Sequence, residues 1–189
     1  MELINTSIPD LFIIKPRVYS DNRGWFMESW NKKDISANGL FYDFVQDNQS
    51  FSAEKGVLRG LHCQIGDGAQ AKLVRCVRGS VLDVAVDLRF GSPTYKKWFS
   101  IELSADNKIQ LLIPRGFAHG FLTLTNDVEF LYKTDNFYSR DNERGILWND
   151  NEIGIEWGIE KPLLSEKDKN APRLFESGVY FEYEYLSYV

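Results

Sequence analysis

The chain has 189 residues, 43% of them hydrophobic and 26% charged, with a formal net charge of −5. That is enough apolar material for a sizeable core, and too acidic a balance for a nucleic-acid-binding surface. Two cysteines, Cys63 and Cys76, exclude a disulfide scaffold, and no run approaches the roughly 20 apolar residues of a membrane span.

The opening Met1-Glu2-Leu3-Ile4-Asn5 has no basic region and no long apolar run. No signal peptide is therefore expected, and a reducing, cytoplasmic setting without membrane attachment is. One domain over residues 1–189 is expected, with its core at about 3–174 and a tail at about 178–189.

Going along the chain, short apolar runs are bounded by Gly, Pro, Asn or Asp. Strands are predicted at 11–14 and 25–30, with Asp21-Asn22-Arg23-Gly24 as the turn before the second. A short helix is predicted over 31–38. Strands follow at 57–64, 73–77, 81–88, 99–103, 110–113, 117–124 and 128–134. Arg78-Gly79, Phe90-Gly91-Ser92-Pro93 and Asn126-Asp127 supply turns between them. Ser165 ahead of Glu166 and Asp168 is an N-cap pattern that starts a second helix. The tail from Phe181 to Tyr185 alternates aromatic and acidic residues, the pattern of an added edge strand. Turns about ten residues apart predict an all-β antiparallel barrel or sandwich with a few short helices.

Only two histidines are present, His62 and His119, and each falls inside a predicted strand. Alternation places His62 on the face of Leu58 and Gln64, and His119 on that of Phe117 and Phe121. Both sets point into the barrel, as hydrogen-bonded core histidines or as working groups. Lys72 shares a face with the apolar Val74 and Cys76. Asp83 stands among Val81, Leu82, Val84, Ala85 and Val86. Two inward charges of opposite sign are costly unless they pair or serve a ligand, so a Lys72–Asp83 structural ion pair is one reading and a polar cavity the other. Arg23, Arg59, Arg115 and Arg144 sit beside glycines at turns or strand edges, where arginines are solvated unless several converge on a phosphate. No Gly-rich phosphate loop, Cys-x-x-Cys or Gly-x-Ser-x-Gly elbow occurs. Two histidines are too few for a three-histidine metal centre. A two-His-one-carboxylate iron site remains formally open.

Several segments resemble, in order, the motifs of the dTDP-4-dehydrorhamnose 3,5-epimerase family. They are 21–26, 44–48, 56–62, 70–75, 82–89, 114–121, 131–133, 148–150 and 164–168. The resemblance runs from about residue 3 to about residue 174. It departs at Cys63, where an aromatic residue is usual, and at Gly158, where a proline is usual after Trp157. Beyond Ser177 no counterpart aligns.

The resemblance implies a jelly-roll, cupin-like barrel that forms a homodimer, with an exchanged N-terminal strand. It implies an isomerase, free of cofactor and metal, that inverts C3 and C5 of a dTDP-4-keto-6-deoxyhexose in rhamnose-type deoxysugar biosynthesis. His62 would be the base, suited to neutral pH by the ordinary imidazole pKa of about 6.5. Asp168 would hold its far nitrogen, and Tyr132 would be the acid on the other side of the ring. Lys72, with His119, would stabilise the enolate. Arg23, Glu28, Gln46, Asp47, Asn48, Arg59, Tyr138, Glu143 and Lys167 would line the nucleotide and sugar site, with Arg23 and Glu28 supplied by the partner subunit. Two other readings stay open: a relative that inverts only C3 or only C5, and a non-catalytic cupin that binds sugar nucleotides.

Overall fold

The computed structural model describes residues 1–183. Its strands in chain order are β1 (Glu2–Asn5), β2 (Phe12–Lys15), β3 (Val18–Asp21), β4 (Gly24–Met27), β5 (Gln46–Ser52), β6 (Leu58–Gln64), β7 (Lys72–Arg78) and β8 (Ser80–Asp87). They continue with β9 (Arg89–Phe90), β10 (Trp98–Ser104), β11 (Gln110–Ile113), β12 (Phe117–Thr123), β13 (Val128–Thr134), β14 (Glu143–Gly145) and β15 (Phe181–Glu182). The short helices are α1 (Lys32–Ser36) and α2 (Glu166–Lys169). No helix among the described residues is long and apolar enough to cross a membrane.

Two antiparallel sheets make the jelly-roll. One runs β1-β2-β11-β7-β13-β5 and the other β10-β8-β12-β6-β14. Their inner faces meet in one cluster. Val74, Leu111, Ile113 and Phe130 come from the first sheet, and Val81, Ala85, Phe117 and Phe121 from the second. Each fully buried side chain of this size stabilises the fold by about 1.5–3 kcal/mol. Leu58, Val84, Val86, Ala118 and Leu122 cover the outer face of the second sheet, packed against Ile146, Ile153 and Trp157.

The predicted strands from 57 to 134 all form, within a residue or two at their ends. The strand predicted over 25–30 is shorter, because β4 stops at Met27. Trp30 turns into a small core, edge-on to Phe44 at 4.7 Å, and Asn31 caps α1 with its side chain. Asparagine at that position accepts N–H bonds that the first helical turn cannot satisfy internally. β3 and β4 pair only with each other, leaving Tyr19, Trp25 and Phe26 more than half exposed. In the tail, Phe181 and Glu182 run parallel to Arg89 and Phe90. The rest of the predicted edge strand, Glu184 and Tyr185, lies outside the described residues.

Of the two readings of Lys72 and Asp83, the ion pair does not form. β7 and β8 belong to different sheets, so the two residues face each other across the interior rather than along neighbouring strands. Asp83 instead bonds His119.

A second buried carboxylate ties the N-terminal loop to the end of β8. Asp87 has no solvent exposure. It accepts bonds from the Arg89 N–H, Nε and Nη2, and from the hydroxyls of Ser92 and Thr94. Arg89 reaches on to Asp10 at 2.6 Å, between the rings of Phe117 and Tyr183. Burial pushes the Asp87 carboxyl up, but these donors outweigh it and hold the group below its ordinary 3.8. Asp87→Asn should lower the unfolding free energy by about 3 kcal/mol, since it takes from a buried guanidinium the carboxylate that its Nε and Nη2 share. Because the folded-state pKa is lowered, the contribution is full above pH about 4 and is lost as pH falls through the folded value. Urea unfolding at neutral and acid pH measures both. A loss under about 1 kcal/mol at pH 7 would count against the network.

Candidate active site

A cavity of 590 Å³ opens between the two sheets. Its walls carry His62, Arg59 and His119 from the second sheet, and Lys72, Phe130 and Tyr132 from the first. The segment Leu163-Leu164-Ser165 closes one side with Lys167 and Asp168.

The position of His62 depends on a break in strand alternation. β12 pairs with β6 as His119↔His62, then Phe121↔Arg59, then Leu122↔Leu58. Two steps on β12 match three on β6, so β6 bulges around Gly60 and Leu61. Directly opposed residues share a face. His62 therefore shares its face with Arg59, and not with Leu58 as strict alternation required. Leu58 packs with Leu122 in the outer cluster. The bulge turns Arg59 inward, where its guanidinium bonds the Ser52 hydroxyl and the Phe51 carbonyl.

Glycine makes this approach of β6 to β12 possible. A Cβ at Gly60 would stand 2.7 Å from both the Gly120 Cα and the His119 carbonyl, and Gly60 has φ +114. A Cβ at Gly120 would stand 2.9 Å from the Arg59 carbonyl.

Asp168 arrives from 106 residues away. A bridge between Val57 and Leu163 stitches the incoming segment to the start of β6. Ser165 then caps α2, accepting the Asp168 N–H at 3.1 Å, while its hydroxyl donates to Asp168 Oδ2 at 2.9 Å. Asp168 Oδ1 stands 2.6 Å from His62 Nε2. The Gly60 backbone also favours the charge of this carboxylate. Burial works against the Asp168 charge, but His62, Ser165 and Gly60 together hold its carboxyl below the ordinary 3.8. It is ionised at neutral pH, and His62 Nδ1 is the nitrogen left for the cavity.

Tyr132 stands on the opposite sheet. Burial, with the negative charge of Glu143, raises its phenol above 10 and keeps it protonated. Lys72 lies on the neighbouring strand, its ammonium 5.9 Å from the centre of the Tyr132 ring. Burial depresses the Lys72 pKa. The floor between them is aromatic, with Phe121 stacked on Phe130 at 4.2 Å.

Behind Lys167, which lines the cavity, Glu143 pairs with that ammonium and accepts the Tyr138 hydroxyl at 3.0 Å. Burial opposes the Glu143 charge, but those two donors hold its carboxyl below 4.5. Gln46 bonds Asn48 at 2.9 Å and accepts the Tyr138 N–H. Asn48 lies directly across from Tyr132. Of the expected binding residues, Arg59, Lys72, His119 and Lys167 line the cavity, and Asp47 does not. It pairs with Lys133 on the other face of β5, because side chains alternate along a strand. Arg23 and Glu28 are also away from the cavity. Arg23 is exposed at the β3–β4 tip, paired with Asp21 at 2.6 Å, and Glu28 accepts from Asn31. Arg115 pairs with Asp135, and Arg144 bonds the carbonyls of Asp141 and Glu143. Neither lines the cavity.

Sequence reasoning gave no site role to Ser50, Phe121, Phe130, Leu164 or Ser165. Phe130 was readable as the inward neighbour of Tyr132, and Ser165 from its capping pattern. The others depend on which strands pair.

Comparison with known proteins gives one consistent family. The profile for dTDP-4-dehydrorhamnose 3,5-epimerase matches residues 5–176. The protein of that name from Shigella flexneri is 56% identical over 178 residues, covering 94% of this chain and 98% of its own. The enzyme from Bacillus anthracis, solved with TDP and pyrophosphate bound, superimposes with a TM-score of 0.89 at 48% identity, covering 92% of this chain and 99% of that one. The dTDP-6-deoxy-D-glucose-3,5-epimerase of Legionella pneumophila, solved with dTDP-4-keto-L-rhamnose, gives a TM-score of 0.91 at 43% identity, covering 97% and 98%.

The glycine contact between β6 and β12 can be tested directly. Gly60→Ala adds only a methyl, but that methyl meets backbone on the facing strand at positive φ. Stability should fall by more than about 2 kcal/mol, and the near-ultraviolet circular dichroism of the folded variant should change. A variant as stable as the parent would show that the two strands need no such contact.

Proposed function

Since the chain belongs to the dTDP-4-dehydrorhamnose 3,5-epimerase family, we propose that it inverts C3 and C5 of a dTDP-4-keto-6-deoxyhexose by acid–base chemistry. The observation that carries this reading is the placement of His62 and Tyr132 on opposite walls of one cavity, with Lys72 beside Tyr132.

The C4 ketone acidifies the hydrogens on C3 and C5, so removing either gives an enolate. The base takes the proton on one side and the acid delivers one from the other, which inverts the carbon. His62 suits the base. Its Nε2 is held by an ionised Asp168, which fixes the ring and stabilises the imidazolium formed when Nδ1 takes the proton. Tyr132 suits the acid, since its raised pKa keeps a proton to give. Lys72 and His119 stand where an enolate oxygen needs positive partners in a low-dielectric wall. Arg59 and Lys167, cations in the cavity lining, suit the phosphates of the nucleotide, with Glu143 and Tyr138 bonded in a chain to Lys167.

The isolated β3–β4 hairpin supports a homodimer. A two-stranded ribbon is marginal alone, and its exposed Tyr19, Trp25 and Phe26 would be covered by a second copy. Arg23 and Glu28, remote from this chain's own cavity, would then reach the partner's.

The experiment is incubation with dTDP-4-keto-6-deoxyglucose in deuterated water, after exhaustive chelation and without nicotinamide. Deuterium should enter at both C3 and C5. Uptake at one carbon only would replace the double epimerase with a single-carbon enzyme. No uptake, or activity that returns only with iron or zinc, would overturn the acid–base reading. Tyr132→Phe and Lys72→Ala separate the two roles. Tyr132→Phe should still exchange hydrogen but invert slowly. Lys72→Ala should lose exchange and inversion together, on the order of 10²–10³-fold. Equal loss of exchange in both folded variants would refute the division.

A further inference from the structure

Asp83 is a buried charge to which the reaction above gives no part. It has no solvent exposure and lies on the β8 face of Val81 and Ala85, in the cluster between the sheets. Its Oδ2 stands 2.9 Å from His119 Nε2. Its Oδ1 has no partner, and among the described residues no other buried side-chain nitrogen or oxygen is in that state. Leaving a buried acceptor unsatisfied costs about 1–3 kcal/mol, and more for a charge. An apolar side chain at this point of the core would avoid that cost. Packing therefore gives no reason for a carboxylate here.

What the carboxylate does is fix a ring. His119 stacks on Phe130 with 20° between the planes, which sets the plane of the imidazole. Asp83 sets its rotation. A carboxylate accepts, so Nε2 carries a proton and points away from the cavity. Nδ1 is the edge that remains. It is not among the buried unpartnered atoms, so it opens on the cavity that His119 lines. Lys72 lines the same cavity, its ammonium makes no ion pair or hydrogen bond among the described residues, and it feels the charge of Asp83 from across the interior.

We propose that Asp83 is the positioning residue of the enolate site: it holds His119 with Nδ1 toward the ketone oxygen, and its charge balances the second proton with which Nδ1 donates. This rests on reading the cavity as an enolate-forming site. The two His–Asp pairs then divide the work. His62 takes the proton from carbon, while His119 donates a hydrogen bond to the oxygen.

The chain has only two histidines, so in a His62→Asn variant every imidazole ¹⁵N signal belongs to His119. Nε2 should be protonated in the free variant, and both nitrogens should be protonated when dTDP-4-keto-6-deoxyglucose is bound. A bare Nε2, or a bare Nδ1 in the complex, would overturn the proposal even if no Asp83 variant folds. Asp83→Asn keeps the size and removes the charge. It should lower kcat for deuterium exchange on the order of 10²-fold with KM within about threefold. In a His119→Ala background the same change should cost less than about threefold, because Asp83 acts through that ring. An equal loss with and without His119 would reduce Asp83 to a structural residue. If the unaltered enzyme exchanged no deuterium at all, the proposed reaction would fail instead, and the nitrogen spectrum would still decide the geometry.

Discussion

The close approach of β6 and β12 at Gly60 and Gly120 is the constraint on which the rest of the site depends. Nothing larger than hydrogen fits between the two backbones there. The bulge at that point puts Arg59 and His62 on the same inner face. The Gly60 backbone also helps to favour the Asp168 charge. One local irregularity thus orients a cavity-lining guanidinium, a candidate base and the carboxylate behind that base. A regular strand would have placed Leu58 where Arg59 now points.

Around that constraint the charges are arranged by wall. Both imidazoles sit on the second sheet, directly opposite one another, and each gives its Nε2 to a carboxylate of its own. The two carboxylates differ in their surroundings. Asp168 has a partner for each oxygen, His62 and Ser165, whereas Asp83 has one partner for two oxygens. The facing sheet supplies a protonated phenol and an ammonium whose pKa burial depresses. A ring held between the walls would meet acid on one side and base on the other, over a floor of stacked Phe121 and Phe130. Preorganised charges of this kind act most strongly where water is excluded.

Much of the barrel was legible because its central strands are short apolar runs bounded by turn residues. β5 was not, since Gln46–Ser52 is almost wholly polar and owes its strand to pairing with β13. β3 was missed for the same reason, with Val18–Asp21 exposed along its whole length. The site was legible mainly through resemblance. Alternation gave the correct inner face for His119 and Lys72 but the wrong neighbour for His62, because no pattern of side chains announces a bulge. It also left the Lys72–Asp83 pair open, and only the sheet order decides that those residues face each other instead of lying side by side. Asp47 falls on the outer face of β5 by the same two-residue period that puts Gln46 and Asn48 inside.

The most direct test of the central claim, that His62 held by Asp168 is the proton-abstracting base, is deuterium exchange in His62→Ala. Exchange at C3 and C5 of dTDP-4-keto-6-deoxyglucose should fall by about 10²–10⁴-fold, with dTDP affinity and the circular dichroism spectrum unchanged. A folded variant that still exchanged either hydrogen at a near-normal rate would contradict the claim, because the proton would then be leaving to another group.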